Sequence, residues 1–280
     1  MRIATIICNH NYGQYLSDAI DSALNQTIKT DIYIADDGST DNSDEIIQKW
    51  LIKDSRFKYI NKENEGECMA RNDGLEMAMG EWIQFLDADD TISSNKFSES
   101  SQFFEDYELI ITDFVVFNSK GVYPPFCKIS NFKIDIYNII AYWDKGLNIP
   151  IHCALLRMDV IGKLRFNENI ISKEDWLFWI ELLTKPIKSI FIPKHMAQYR
   201  TNPYTLGRDF DLISKANEII YKNSNDEIKA LMFDRLNDFY VEDKKALKIF
   251  QDYIDKVHKH WFLSIFFNTR NFIRNLINRK

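Results

Sequence analysis

Ile3-Ala4-Thr5-Ile6-Ile7-Cys8 begins within two residues of the start of the chain and runs straight into Asn9-His10-Asn11-Tyr12-Gly13. An uncharged, mostly β-branched run of this kind suits a strand buried on both faces of a parallel sheet. The polar loop behind it lies where open α/β sheets collect ligands, at the carboxyl end of a strand. Next, Tyr15, Leu16, Ala19, Ile20, Ala23 and Leu24 recur at three- and four-residue spacing, which predicts a helix over about residues 14 to 25. The alternation repeats, with strands expected at Ile32 to Ala35, Phe57 to Ile60 and Trp82 to Leu86 and helices at Asp44 to Ile52 and around residues 66 to 79. A further strand is expected over residues 108 to 117. Strands alternating with helices predict right-handed βαβ units and an α/β sandwich. Pro124-Pro125 marks a loop, and from about Arg208 only helical patterning is left, so the expected units are residues 1–207 and a helical region, 208–280.

Composition narrows the function. A formal net charge of -6 over 280 residues argues against a general nucleic-acid binder, which needs clustered Lys and Arg to displace counterions. Cys8, Cys68, Cys127 and Cys153 have neither zinc-knuckle spacing nor a disulfide framework, so reduced thiols are expected. No secretory leader is expected from the first residues, and no apolar run reaches the roughly 18 to 20 residues that span a bilayer. The expectation is a cytoplasmic protein.

Two more strand ends are acidic. Asp87-Ala88-Asp89-Asp90 follows the fourth strand, and alternation along an extended segment places Asp87 and Asp89 toward one pocket while Asp90 turns away. Neighbouring carboxylates repel unless a cation or a proton sits between them. Oxygen ligands of this kind suit Mn²⁺ or Mg²⁺. The plainer alternative is a capped turn. Asp36-Asp37-Gly38-Ser39-Thr40-Asp41 supplies a second acidic end, where a carboxylate can accept from a uracil imide and Thr40 or Asp41 can simply cap the next helix. Asn64-Glu65-Gly66-Glu67-Cys68-Met69-Ala70-Arg71-Asn72-Asp73-Gly74 opens a helix yet keeps Gly74 inside it. Glycine there costs about 1 kcal/mol relative to alanine, which implies close packing or a close ligand.

With Asn11-Tyr12, Asp36 to Asp41, Asn64 to Gly74 and Asp87 to Asp89 in that order, the first 90 residues or so resemble the family 2 glycosyltransferases of GT-A fold. The resemblance implies a Rossmann-like mixed sheet flanked by helices, with residues 1–117 as the nucleotide-sugar half and 118–207 as the acceptor half of a catalytic domain. It implies donor contacts from Cys8, Asn9, Asn11, Tyr12, Asp36, Asp37, Asn64, Gly66, Arg71, Asp87 and Ala88, and a metal, Mn²⁺ or Mg²⁺, on Asp89 and Asp87. Family members often carry an acidic pair downstream, and Glu174-Asp175-Trp176 matches it. Asp175 is therefore the expected base that takes the acceptor's proton in an inverting transfer, with Glu174 as its neighbour or substitute. A capping box from Ser172 to Asp175 is the structural alternative. His152 and Trp176 are expected on the acceptor side. Tyr199-Arg200 is similar to a Tyr-Arg-x-His stretch of relatives, but its His is missing.

The implied partners are a nucleotide sugar, UDP-sugar favoured, and a glycan or lipid-linked acceptor in bacterial cell-surface polysaccharide assembly. In the last residues Phe262, Phe266, Ile273, Leu276 and Ile277 can share a helical face beside Arg270, Arg274, Arg279 and Lys280. That pattern fits a peripheral helix on an anionic membrane through residues 256–280, or one packed on the catalytic domain or on the second copy of a homodimer. Two other functions compete. Asp87 to Thr91 satisfies the Asp-x-Asp-x-Thr pattern of haloacid-dehalogenase-like phosphatases, and a non-catalytic nucleotide-sugar-binding scaffold follows if Asp175 is not a base.

Overall fold

A computed structural model describes residues 2–201 and 210–232. Its contacts group the chain into one compact unit, Met1–Ile220, and another, Tyr221–Lys280. The proposed membrane helix at residues 256–280 lies outside the described residues. Among the described residues, no helix is long and apolar enough to cross a membrane.

In chain order the elements are β1 (Ile3–Asn9), α1 (Gly13–Leu24), β2 (Thr30–Asp37), α2 (Ser43–Lys53), β3 (Phe57–Lys62), α3 (Glu67–Met77), β4 (Trp82–Asp87), β5 (Thr91–Ile92) and α4 (Lys96–Ser101). There follow β6 (Leu109–Asn118), β7 (Gly121–Tyr123), α5 (Ile136–Tyr142), β8 (Ala154–Arg157), α6 (Met158–Ile161), α7 (Glu174–Leu183), β9 (Ser189–Arg200) and α8 (Phe210–Asn223). They form a mixed sheet in the order β3-β2-β1-β4-β8-β6-β9-β5, with β7 beside β6. The first four strands are parallel. Short β8 then pairs antiparallel with both β4 and β6, so the strand expected at 108–117 joins the sheet through a strand the sequence pattern did not announce.

Every residue of β1 is buried, as its uninterrupted apolar run requires. Ile3 and Ile7 share a core cluster with Leu16, Ala19, Ile20 and Ala23 of α1, and Ile32 and Ile34 of β2. Burying each such aliphatic side chain stabilises the fold by about 1.5–3 kcal/mol. Packing also explains the glycine inside α3: a Cβ on Gly74 would stand 2.2 Å from Cγ2 of Ile6. The helix is drawn onto β1 at a distance only glycine permits.

Candidate active site

Parallel pairing sets the carboxyl ends of β1, β2 and β4 level. Cys8 lies opposite Asp87, and Asn9 opposite Asp36. Because β1 has a parallel neighbour on each side, the loops leaving these strands diverge and open a crevice. That cleft has a volume of about 530 Å³, the size range of small-ligand sites. Cys8, Asn9, Tyr12, Asp37, Asn64, Gly66, Arg71, Asp87, Ala88, Asp89, Glu174 and Asp175 all line it.

Four expected contacts are placed elsewhere. Asp36 is buried and closes its own turn, accepting from the Asn9 amide at 2.6 Å and from the Ser39 backbone N–H and hydroxyl, both at 2.8 Å. Asn11, with a left-handed φ of 57°, fastens two loops by accepting from the Thr40 and Asp41 backbone N–H groups at 2.7 and 3.3 Å. Trp176 points into the core, where its indole N–H donates to the Ile139 carbonyl at 2.9 Å. His152 is wholly buried. Asp37 keeps its place in the cleft, although its two carboxylate oxygens already accept from the Glu65 and Gly66 N–H groups at 2.7 and 2.9 Å. Gly38, at φ 69°, makes the turn that brings this strand end against the Asn64 loop.

Arg71 lines the cleft and is also the centre of an ion cluster. Its side chain is 3% exposed, and its terminal nitrogens donate to Glu174 at 3.0 Å, Asp87 at 2.9 Å and Glu67 at 2.5 Å. One buried cation thus ties β4 to the start of α7. The helix is held further by Trp176 and Trp179, whose indoles donate to the Ile139 and Ile149 carbonyls at 2.9 and 3.1 Å. Its N-cap residue is Lys173, in a left-handed conformation without a side-chain cap, so Ser172 and Asp175 do not form a capping box. Asp175 is instead directed at the cleft. Burial, followed by the charge of Glu174, pushes its carboxyl up to about 7.

The Asp87-to-Asp90 segment is a turn, closed by Asp90 N–H donating to the Asp87 carbonyl at 3.0 Å. Strand alternation therefore ends at Asp87, and Asp90 turns toward the cleft, contrary to expectation. Burial and the neighbouring acids push Asp89 up to about 7, and burial also raises Asp90. Ligand atoms of Asp87, Asp90 and His152 lie within 4.8 Å of one another. His152 Nδ1 is 2.9 Å from an Asp90 oxygen, yet neither ring nitrogen makes an aligned hydrogen bond. A buried imidazole without an aligned hydrogen bond, beside crowded carboxylates, fits a divalent cation, and a mixed nitrogen and oxygen set is compatible with Mn²⁺. Asp89 lines the same cleft outside this convergent set.

Residues 4–165 match the family described as Glycosyl transferase family 2. The chain belongs to that family. This glycosyltransferase is 33% identical over 202 residues to an uncharacterized glycosyltransferase of Haemophilus influenzae, covering 70% of this chain and 76% of the relative. It is 33% identical over 199 residues, 67% of this chain and 72% of the relative, to the Escherichia coli UDP-Glc:alpha-D-GlcNAc-diphosphoundecaprenol beta-1,3-glucosyltransferase WfaP. Some relatives are longer: the chain spans 30% of the length of one from Rickettsia felis. Among solved structures, Staphylococcus aureus TarS in complex with UDP-GlcNAc superposes with a TM-score of 0.67 at 18% identity, over 86% of this chain and 73% of that one. Pyrobaculum calidifontis mannosyltransferase PcManGT, in complex with GDP-Man and Mn²⁺, gives 0.60 at 12% identity over 100% and 88%. These structural likenesses establish the GT-A-like fold.

Two residues that shape the site of this family 2 enzyme were given no role by sequence reasoning. His10 lines the cleft, its Nδ1 2.7 Å from the Asp37 carbonyl, and only its place in the first loop could have flagged it. Arg200 holds the acidic turn. Its N–H donates to Asp90 at 2.7 Å, its Nε to the Asp89 carbonyl at 2.6 Å and its Nη2 to Asp18 at 2.7 Å. The Tyr-Arg stretch was the available signal, with its function hidden until β9 was laid beside that turn.

Proposed function

We propose that this glycosyltransferase moves a hexose from a UDP-sugar to a hydroxyl of a lipid-linked saccharide, with inversion, in assembly of a bacterial cell-surface polysaccharide. The observation that carries this reading is a single cleft lined by Asp37, Asp87 and Asp175, which come from two strand ends and a helix start far apart in sequence. The similarity to a glucosyltransferase named for a UDP-Glc donor and a diphosphoundecaprenol-linked acceptor supports the substrate classes.

In this mechanism the β1 and β2 loops hold the nucleoside, Asp37 and Asn64 offering acceptor and amide groups to the base while Asp87 serves the ribose side. Asp175 accepts the proton of the acceptor hydroxyl as that oxygen attacks the anomeric carbon, and a carboxyl near pH 7 is matched to the task. Glu174, bound to Arg71, fixes the helix end that aims it. Asp87, Asp90 and His152 would hold a divalent cation, Mn²⁺ in preference, which when bound neutralises charge on the departing diphosphate.

The phosphatase alternative is disfavoured because Asp87 ends β4 rather than the first strand and is engaged by Arg71. The test is incubation with UDP-hexoses, Mn²⁺ and a diphospho-lipid saccharide, measuring UDP release and the product's anomeric configuration by NMR. UDP release with inversion is expected. Retention would overturn the mechanism, phosphate release from a monoester would favour the phosphatase, and donor binding without turnover would leave a scaffold.

A further inference from the structure

One wall of the cleft carries side chains that donor binding and proton removal leave unused. We propose that Phe126, Asn148 and Tyr199 form a subsite for a pyranose ring of the acceptor, an inference that rests on the glycosyl-transfer reading above. All three line the same cleft as Asp175, and all come from segments after β6.

Phe126 is 54% exposed, a large apolar surface at the rim of a polar cavity. Its ring is nevertheless fixed: buried Phe114 packs against it with centroids 4.8 Å apart, and Tyr199 meets it edge-on at 5.4 Å and 82°. Tyr199 is itself stacked on His152, with centroids 6.1 Å apart and planes at 21°. Rings this well supported have little conformational freedom left to lose on binding.

Asn148 has its backbone carbonyl engaged by the Cys127 thiol at 3.1 Å, which sets its position, while its side-chain amide has no hydrogen-bond partner among the described residues. The Tyr199 hydroxyl likewise has none. A fixed aromatic face next to an idle amide and an idle phenol is the complement of a pyranose. The sugar's C–H face carries slight positive charge and lies against the negative face of an aromatic ring. Its hydroxyls both donate and accept, as an amide and a phenol require. A lipid chain would cover the ring but would leave amide and phenol desolvated without partners, which is unfavourable. A sugar seated here presents its hydroxyls to the cavity that Asp175 also lines.

Saturation-transfer NMR on the full chain tests the subsite with methyl α-D-glucopyranoside, methyl N-acetyl-α-D-glucosaminide and octyl β-D-glucopyranoside as probes. Calorimetric titration of UDP runs in parallel. Ring C–H protons of at least one glycoside should saturate in the wild type, fall by about fivefold in Phe126→Ala and Asn148→Ala, and recover in Phe126→Tyr. UDP affinity should stay within about twofold in all variants, which also reports that they fold. Absence of ring saturation in the wild type, or undiminished saturation in Phe126→Ala, would overturn the subsite. Saturation confined to the octyl chain would overturn it in favour of a lipid track. Ring saturation that depends on Phe126 while the wild type fails to bind UDP would uphold the sugar subsite and remove the transferase reading beneath it.

Discussion

Arg71 donates to Glu174 at 3.0 Å across a sequence separation of 103 residues. The same guanidinium holds Asp87 at 2.9 Å, so one buried cation joins the donor strand end to the helix that carries Asp175. Removing a partner from a buried ion cluster leaves uncompensated charge. Arg71→Ala should therefore destabilise the protein by about 3–5 kcal/mol, seen as a lower urea midpoint, whereas Glu174→Gln should lose less because it keeps an acceptor for Arg71. Equal midpoints for Arg71→Ala and the wild type would show that the cluster contributes no stability.

Asp175→Asn keeps the shape of the site and removes the base. Transfer should fall by about 10²- to 10⁴-fold while UDP affinity, read by calorimetry, is unchanged. A parallel loss of UDP affinity would place Asp175 in donor binding instead.

The pH profile follows from the same carboxyl. Asp175 is raised to about 7 by burial and by Glu174, with Arg71 and Lys173 opposing the shift. The ionised form is the active one, so activity should be lost as pH falls through about 7, approaching tenfold per unit on the acid side. For folding, a raised carboxyl pKa has the opposite sense: the native state binds protons more readily than the unfolded one, so this group contributes less stability above pH 7 than below its unfolded pKa. Turnover unchanged between pH 5.5 and 7.5 would rule out Asp175 as the titrating base.

The cation site predicts a thermal signature. Mn²⁺ at about a hundred times its Kd stabilises the folded state by about 2.7 kcal/mol, and each tenfold loss of affinity removes about 1.4 kcal/mol of that. His152→Ala and Asp90→Asn should each reduce the Mn²⁺-dependent rise in melting temperature, and EDTA should abolish it in the wild type. A full Mn²⁺ shift in both variants would move the site elsewhere in the cleft, with Asp89 the next residue to substitute.

Gly74→Ala sets two effects against each other. Better helix propensity stabilises by about 1 kcal/mol, and overpacking onto Ile6 costs about 1–3 kcal/mol. At 2.2 Å the clash should win, giving net destabilisation in chemical unfolding that Ile6→Ala partly reverses in the double variant. A more stable single variant would mean that α3 can lift off β1.

Local pattern was enough for the first half of the fold and for most of the cleft. A run such as Ile3 to Cys8 can bury itself only as an inner strand, and the parallel strands that follow must deliver Cys8, Asp37 and Asp87 to one edge. The order of the acidic and glycine motifs identified the family before any contact was visible. What the chain's order could not reveal were relations between distant segments. Asp36 looks like Asp37 in sequence, yet one closes a turn and the other faces the cleft, because a turn's hydrogen bonding is set by its three-dimensional closure. Asp90 was assigned away from the site because strand alternation was carried past Asp87, where the chain in fact turns. His152 was expected on the acceptor side until β8 packed between β4 and β6 and the turn leading into it set His152 against Asp90. Arg71 likewise became an ionic junction only when α7, 103 residues later, met β4. Periodicity is a local property of the chain; a buried charge is partnered through space, and only the assembled sheet brings those partners together.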